Sequence, residues 1–119
     1  HPLVDKVYYP GLESHQGHEI AVKQMSGFGA MLSFTLKDES LSAVGKVITT
    51  MKYAHAAANP GAVETIVGPP ATTSHVECSK EERLAMGIPE SLIRYSTGIE
   101  DTEDLKDDID RALSTLESA

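Results

Sequence analysis

The sequence predicts an α+β fold, a short and mostly antiparallel sheet with helices packed on one face. Three observations carry this. Residues 28–36 alternate with period two, with Phe28, Ala30, Leu32, Phe34 and Leu36 on one side and Gly29, Met31, Ser33 and Thr35 on the other. Segments 41–51 and 105–116 instead repeat their apolar residues at helical spacing. Strand and helix signals alternate along 119 residues without an internal repeat or low-complexity linker, so a single domain over 1–119 is expected. That length is enough to enclose a core.

Taken in order, Val4 to Tyr9 alternates weakly and stops at the turn signal Pro10-Gly11. From about Ser14 to Met25 the residues favour helix, with Ile20, Ala21, Gln24 and Met25 as its stripe, ended by Ser26-Gly27. The strand over 28–36 follows. Ser40 or a nearby acid can cap the next helix, whose apolar stripe is Leu41, Val44, Ile48 and Met51. Residues 56–61 are small and rich in breakers, and 63–67 reads as a short strand closed by Pro69-Pro70. Ser79 and Glu82 stand in capping-box register for a helix over 79–86, and Gly87 ends it. Leu92 to Thr97 is the last strand, with Leu92, Arg94 and Ser96 on one face. A final helix over about 102–116 buries Leu105, Ile109, Ala112, Leu113 and Leu116, with Asp101 as N-cap and acids in the first turn, where the helix dipole favours them.

Composition is that of a globular protein, 40% hydrophobic and 24% charged. The net charge of −8 argues against nucleic-acid and anionic-membrane partners, which call for a basic face. Part of the acidity is local, from Glu100 to Asp110, and reads as a solvated helix face. A single cysteine, Cys78, forms no intrachain disulfide and suits a reducing cytoplasm. No apolar run approaches the roughly 20 residues of a membrane span, and no signal peptide is visible. The chain opens on His1 rather than Met, from which a piece of a longer protein is expected.

Gly27-Phe28-Gly29 starts like a dinucleotide fingerprint, but the third glycine is missing and a strand follows, so a tight turn is the better reading. His15 and His18, and His75 and Cys78, lie three apart; this spacing suits surface or interface histidines better than a zinc site, and no metal is expected. Arg94 stands out as an arginine between apolar positions of a strand. It is either half of a structural ion pair or a bidentate clamp on a carboxylate, which its planar fork suits and lysine does not.

Several motifs in sequence order then resemble one family. They are Tyr9-Pro-Gly-Leu-x-Ser-His-x-x-His18, Gln24-Met25-x-Gly27-Phe-Gly-x-Met-Leu-Ser-Phe34, Pro70-Ala-x-x-Ser-His75 and Leu92-Ile-Arg-Tyr-Ser-Thr-Gly-Ile-Glu-Asp101. Together they resemble the C-terminal domain of the pyridoxal-phosphate (PLP) enzymes of cysteine and methionine metabolism, which include cystathionine γ-synthase and γ-lyase, methionine γ-lyase and the homoserine-ester sulfhydrylases. The resemblance implies the small C-terminal domain of a fold-type-I enzyme. It implies a large domain, absent from this chain, that holds PLP through a lysine in a Ser-x-Thr-Lys setting. None of Lys6, Lys23, Lys37, Lys46, Lys52, Lys80 or Lys106 has that setting, so no catalytic or cofactor-binding residue is expected here and the chain alone should be inert.

By the same resemblance, Arg94 grips the substrate α-carboxylate, fixing which bond at Cα reacts. Asn59 takes the place of a serine near that carboxylate, and Pro60 beside it departs from the family pattern. Ala58 stands where cystathionine-handling members tend to carry a glutamate for a distal ammonium group, which makes it a specificity position. Ser74 is expected one layer behind these contacts. The implied partners are the missing large domain, an amino-acid substrate and further copies in a homo-oligomer, a tetramer by resemblance. The activity implied is γ-replacement or γ-elimination at sulfur amino acids or homoserine esters. Cystathionine synthesis or cleavage is an alternative, and a stand-alone binding or assembly module is an alternative of another class. A domain parted from its partner should also expose apolar surface near the N-terminal stretch and around 56–70.

Overall fold

In the computed structural model, which describes residues 1–118, strands β1 (Val4–Tyr8), β2 (Met31–Leu36), β3 (His55–Ala56), β4 (Ile66–Gly68) and β5 (Leu92–Ser96) form one sheet in the order β1-β2-β5-β4-β3. The β1–β2, β2–β5 and β4–β5 pairs are antiparallel, and β3–β4 is parallel. The helices are α1 (His18–Gln24), α2 (Leu41–Thr50), α3 (Lys80–Ala85) and α4 (Thr102–Ser114).

The predicted α+β class holds. β5 sits centrally and its side chains alternate between faces. Ile93 and Tyr95 point into the core with Phe34, Leu36 and Val67, under Val44, Val47 and Ile48 of α2 and Ala112 and Leu113 of α4. Leu92, Arg94 and Ser96 take the other face, opposite Thr35, Ser33 and Met31 of β2. α2 is capped as read, with Ala43 N–H donating to Ser40 Oγ at 3.1 Å. The capping box on α3 is complete: Glu82 N–H donates to Ser79 Oγ and Ser79 N–H to Glu82 Oε2. Asp101 accepts from the amides of Glu103 and Asp104 at the start of α4.

Several boundaries differ from the sequence reading, each for a local reason. α1 begins at His18 rather than near Ser14, because Gly17 at φ 91° turns the chain there. Of its apolar stripe only Ala21 is buried, and Ile20 and Met25 face outward. β2 starts at Met31, because Gly29 at φ 79° makes a turn and Phe28 packs against Tyr9 and His18. β4 starts at Ile66 rather than Val63, because the backbone just before it bonds to the β5–α4 turn. Leu41, placed in the α2 stripe, is exposed, and Val47 is buried in the core. The stretch 4–8, only weakly patterned, is a full edge strand, and the pair at 55–56 adds a strand the sequence did not show.

The acidic run is not wholly a solvated face. Asp108 is 3% exposed and accepts from Lys52 N–H, Tyr53 N–H and the Arg111 guanidinium. It thereby ties α4 to the chain leaving α2. Burial alone would raise its pKa, but the Lys52 and Tyr53 amides and the Arg111 charge outweigh that and hold it below the usual value. By contrast, the exposed Lys106–Glu103 pair on the same helix belongs to a class worth about 0–1 kcal/mol. The core side of α4 (Leu105, Ala112, Leu113) dominates its docking, because each large buried aliphatic contributes about 1.5–3 kcal/mol.

Asp108 has a depressed folded-state pKa, so its contribution is complete above the unfolded value of about 4 and is lost as pH falls through the folded value. Asp108→Asn should lower stability at pH 7 by about 1–3 kcal/mol, since at least one backbone donor loses its acceptor. It should also flatten the acid limb of stability against pH. Denaturant titrations at pH 7 and pH 3 check both, and an unchanged acid limb would count against this role.

Candidate functional site

The residues singled out for substrate contact come together around β5. Arg94 leaves the face of β5 opposite the core, flanked by Ser33 on β2 and Gly68 on β4. Its Nη2 donates to the main-chain oxygen of Ala58, which brings the 57–65 loop over this face. Gly68 permits the crossing: a Cβ there would lie 2.7 Å from the Ala57 carbonyl oxygen. Asn59 and Pro60 follow in the loop, both exposed, and Gly61, at φ 86°, donates its N–H to Ser96 Oγ at 2.9 Å.

Arg94 differs from the other arginines. Arg83 is paired with Glu90 and Arg111 with Asp108. Among the described residues no aspartate or glutamate lies within ion-pair distance of Arg94. Its single hydrogen bond, to a neutral carbonyl, leaves the Nε and Nη1 donors of the guanidinium without a protein partner among those residues. The structural ion-pair reading therefore finds no support.

Ser74 is placed differently. It is exposed, its hydroxyl lies 2.8 Å from His75 Nδ1, and among the described residues no hydrogen bond joins it to Arg94 or the loop. His18 is held locally: its Nδ1 is 2.7 Å from the Pro10 carbonyl oxygen and its ring stacks on Phe28. With the Tyr9 hydroxyl donating to the Gly29 carbonyl, this makes the first two family-like motifs one folded corner. Among the described residues no three His, Cys, Asp or Glu side chains converge as metal ligands. Lys46 donates to the Thr115 carbonyl, Lys80 pairs with Glu90 and Lys106 with Glu103, and Lys6 lies over the Tyr8 ring. No hydrogen bond links a lysine to Arg94 or to the 57–65 loop among these residues.

The sequence reading missed what holds the loop. Thr65 is fully buried; its N–H and hydroxyl donate to the two carboxylate oxygens of Glu100, both at 2.7 Å. The same hydroxyl accepts from Gly98 N–H, and Ile99 N–H donates to the Val63 carbonyl. Gly98 is required by the close approach, because a Cβ there would meet Val63 O, Glu64 C and Thr65 N at 2.4–2.5 Å. The Ser-x-Gly-x-Glu-Asp spacing, which includes both Gly98 and Glu100, was the available signal.

A second feature lies on the core side of the sheet, beyond the helices. Val7, Tyr9, Leu12, Gly29, Ala30, Leu32 and Thr97 line an open groove of about 430 Å³. Ile20, Val22, Met25 and Met31 are also exposed in the N-terminal region, whereas around 56–70 only Val63 is a large exposed apolar residue.

Fold and site together describe a small α+β domain that presents, beneath a loop, an arginine without an acidic partner among the described residues. A family model described as Cys/Met metabolism PLP-dependent enzyme matches residues 1–114. The chain belongs to that family. It is 44% identical over 116 residues to an L-methionine gamma-lyase of Fusobacterium nucleatum subsp. polymorphum, a match covering 98% of this chain and 29% of that protein. It is 50% identical over 110 residues to a cystathionine beta-lyase of Lactococcus lactis subsp. cremoris, covering 92% of this chain and 28% of that one. Among solved structures, cystathionine gamma synthase from Xanthomonas oryzae pv. oryzae in complex with cystathionine superposes with a TM-score of 0.91 at 41% identity, over 99% of this chain and 30% of that one. The chain thus spans under a third of the length of these relatives.

Gly98→Ala should displace the 63–65 backbone, since all three close atoms are main chain and cannot rotate away. A cost of about 1–3 kcal/mol is expected from such overpacking. Amide hydrogen exchange should show faster exchange at Thr65 and Ile99 than in the parent chain, and unchanged protection there would contradict the packing described.

Proposed function

We propose that this chain is the substrate-orienting C-terminal domain of a PLP-dependent enzyme that acts on sulfur amino acids or homoserine esters by γ-replacement or γ-elimination. The cofactor and its lysine belong to the large domain of the parent, and the chain alone is inert. The observation that carries the reading is the guanidinium of Arg94, which stands half-buried on the loop-covered face of β5 without an acidic partner among the described residues. An arginine so placed has donors to spare for an α-carboxylate, and two parallel charge-assisted bonds would fix the orientation of Cα. Asn59 and Pro60 border that position and Ala58 shapes the space for the distal end of the substrate, whereas the exposed Ser74, bonded only to His75 among the described residues, has no contact that supports a place behind them.

PLP supplies the electron sink when bound. What this chain contributes is a charged grip and a loop that shields it from one side. The groove at Val7, Leu12 and Leu32 and the outward Ile20 and Met25 suit burial against the large domain. The parent is expected in a cytoplasmic homo-oligomer, a tetramer on the family pattern.

In the full-length parent, Arg94→Ala should reduce kcat/KM for all amino-acid substrates alike, with PLP absorbance retained. Removing a desolvated charged partner costs on the order of 2–5 kcal/mol. Arg94→Lys keeps the charge and loses the fork, so it too should be damaging. Steady-state kinetics of Arg94→Ala within about twofold of wild type, well under 1.4 kcal/mol, would overturn the carboxylate role.

A second reading, action on cystathionine, is favoured by the names of the lactococcal and Xanthomonas relatives. Against it, Ala58 offers only its carbonyl, to Arg94, and no carboxylate for a distal ammonium. Ala58→Glu leaves that main-chain contact available and should shift preference towards cystathionine relative to substrates without a second amino group. Competition kinetics between the two substrate types measures this, and an unchanged ratio would remove Ala58 from the specificity site.

A further inference from the structure

The loop that carries Ala58, Asn59 and Pro60 leaves β3 and returns at β4. Its ends are fixed by His55 N–H donating to the Thr65 carbonyl at 2.9 Å and Ala57 N–H to the Val67 carbonyl at 3.1 Å. Between those ends, Gly61 N–H reaches Ser96 Oγ at 2.9 Å and the Val63 carbonyl accepts from Ile99 N–H at 3.0 Å. The return limb is held most heavily at Thr65. Both oxygens of Glu100 are occupied by this one residue, one by its N–H and one by its hydroxyl, and the hydroxyl also accepts from Gly98 N–H. Glu100 itself precedes Asp101, the N-cap of α4, a helix docked in the core through Leu105, Ala112 and Leu113.

We infer that Glu100 is a positioning residue for substrate binding: acting through Thr65, it sets where the 57–61 loop lies and so how the Ala58 carbonyl aims the Arg94 guanidinium. The chemistry of the contact supports this. A carboxylate accepts from an amide and a hydroxyl at once, which leaves the hydroxyl oxygen free to accept from Gly98. The carboxyl group is held below its ordinary pKa, chiefly by the Thr65 N–H, so the acceptor form prevails at neutral pH. Arg94 has only one protein hydrogen bond among the described residues, and that bond comes from this loop. Among the described residues no other hydrogen bond and no ion pair restrains the guanidinium, so loop placement and guanidinium placement are coupled.

This inference rests on the proposed carboxylate role of Arg94, and the test separates the two. In the full-length holoenzyme, Glu100→Ala should raise KM for amino-acid substrates about tenfold, with kcat less affected and the PLP spectrum unchanged. Thr65→Val should raise it in the same direction, and Thr65→Ser, which keeps the hydroxyl, should restore values near wild type. In an Arg94→Ala background, Glu100→Ala should add little, because the group it aims is gone. If Arg94→Ala raises KM and Glu100→Ala leaves KM within about twofold while lowering only thermal stability, the positioning role is overturned and the Arg94 reading stands. If Glu100→Ala does not fold, the Thr65 pair decides: Thr65→Val with an unchanged KM overturns the inference. Should Arg94→Ala itself leave kcat/KM within about twofold of wild type, the carboxylate reading fails and this inference with it.

Discussion

The alternation of side chains along β5 is the constraint from which the rest of the structure follows. A strand in the middle of a sheet has two faces, and neighbouring residues cannot share one. Ile93 and Tyr95, at 0% and 2% exposure, anchor the helix-covered core. The same register then obliges Arg94 and Ser96 to face the other way, towards the 57–65 loop. A slip of one residue would drive a guanidinium into the core and two core residues out of it. Core packing and substrate-side geometry are therefore specified by one register, and the antiparallel pairing of β5 with both β2 and β4 fixes it.

That dependence explains what was legible in the sequence. Period-two and helical stripes reveal residues whose fate is decided by burial on one face. The core face of β2, the stripe of α4 and the face of Arg94 were accordingly readable, as was the Ser79–Glu82 box, whose bonds span only three residues. β3 is two residues long with both exposed, so no apolar pattern marks it. β1 pairs on one side only and is mostly exposed, which leaves its alternation weak. α1 misled in the opposite direction: helical spacing is present, but Ile20 and Met25 of its expected stripe lie exposed.

Long-range polar contacts were the least legible. Asp108 lies among acids that look interchangeable, and only the fold shows that Lys52 and Tyr53, more than fifty residues earlier, aim their amides at it. Glu100 and Thr65 are 35 residues apart, and neither stands out in composition. A motif resemblance marked Glu100 without giving it a task. Its bonds to Thr65 supply one, because a close backbone approach at Gly98 leaves no room for a side chain and a buried Thr65 needs acceptors for both its donors.

The arginines show how a fold separates structural from available charge. Arg83 is 8% exposed and has both the Cys78 carbonyl and Glu90. Arg111 completes the Asp108 site between α4 and the end of α2. In each case a carboxylate is at hand, and removing the arginine would leave that carboxylate with fewer partners. Arg94 has no such counter-charge among the described residues, although the chain carries a surplus of acids with a net charge of −8. In so acidic a chain, an arginine kept clear of every carboxylate among the described residues is set apart by geometry rather than by scarcity of partners. The strand register points it away from α4, and the loop covers it with a carbonyl instead of an acid. A neutral carbonyl orients a guanidinium without neutralising it, which leaves its charge to be matched by whatever anion the complete enzyme brings to this face.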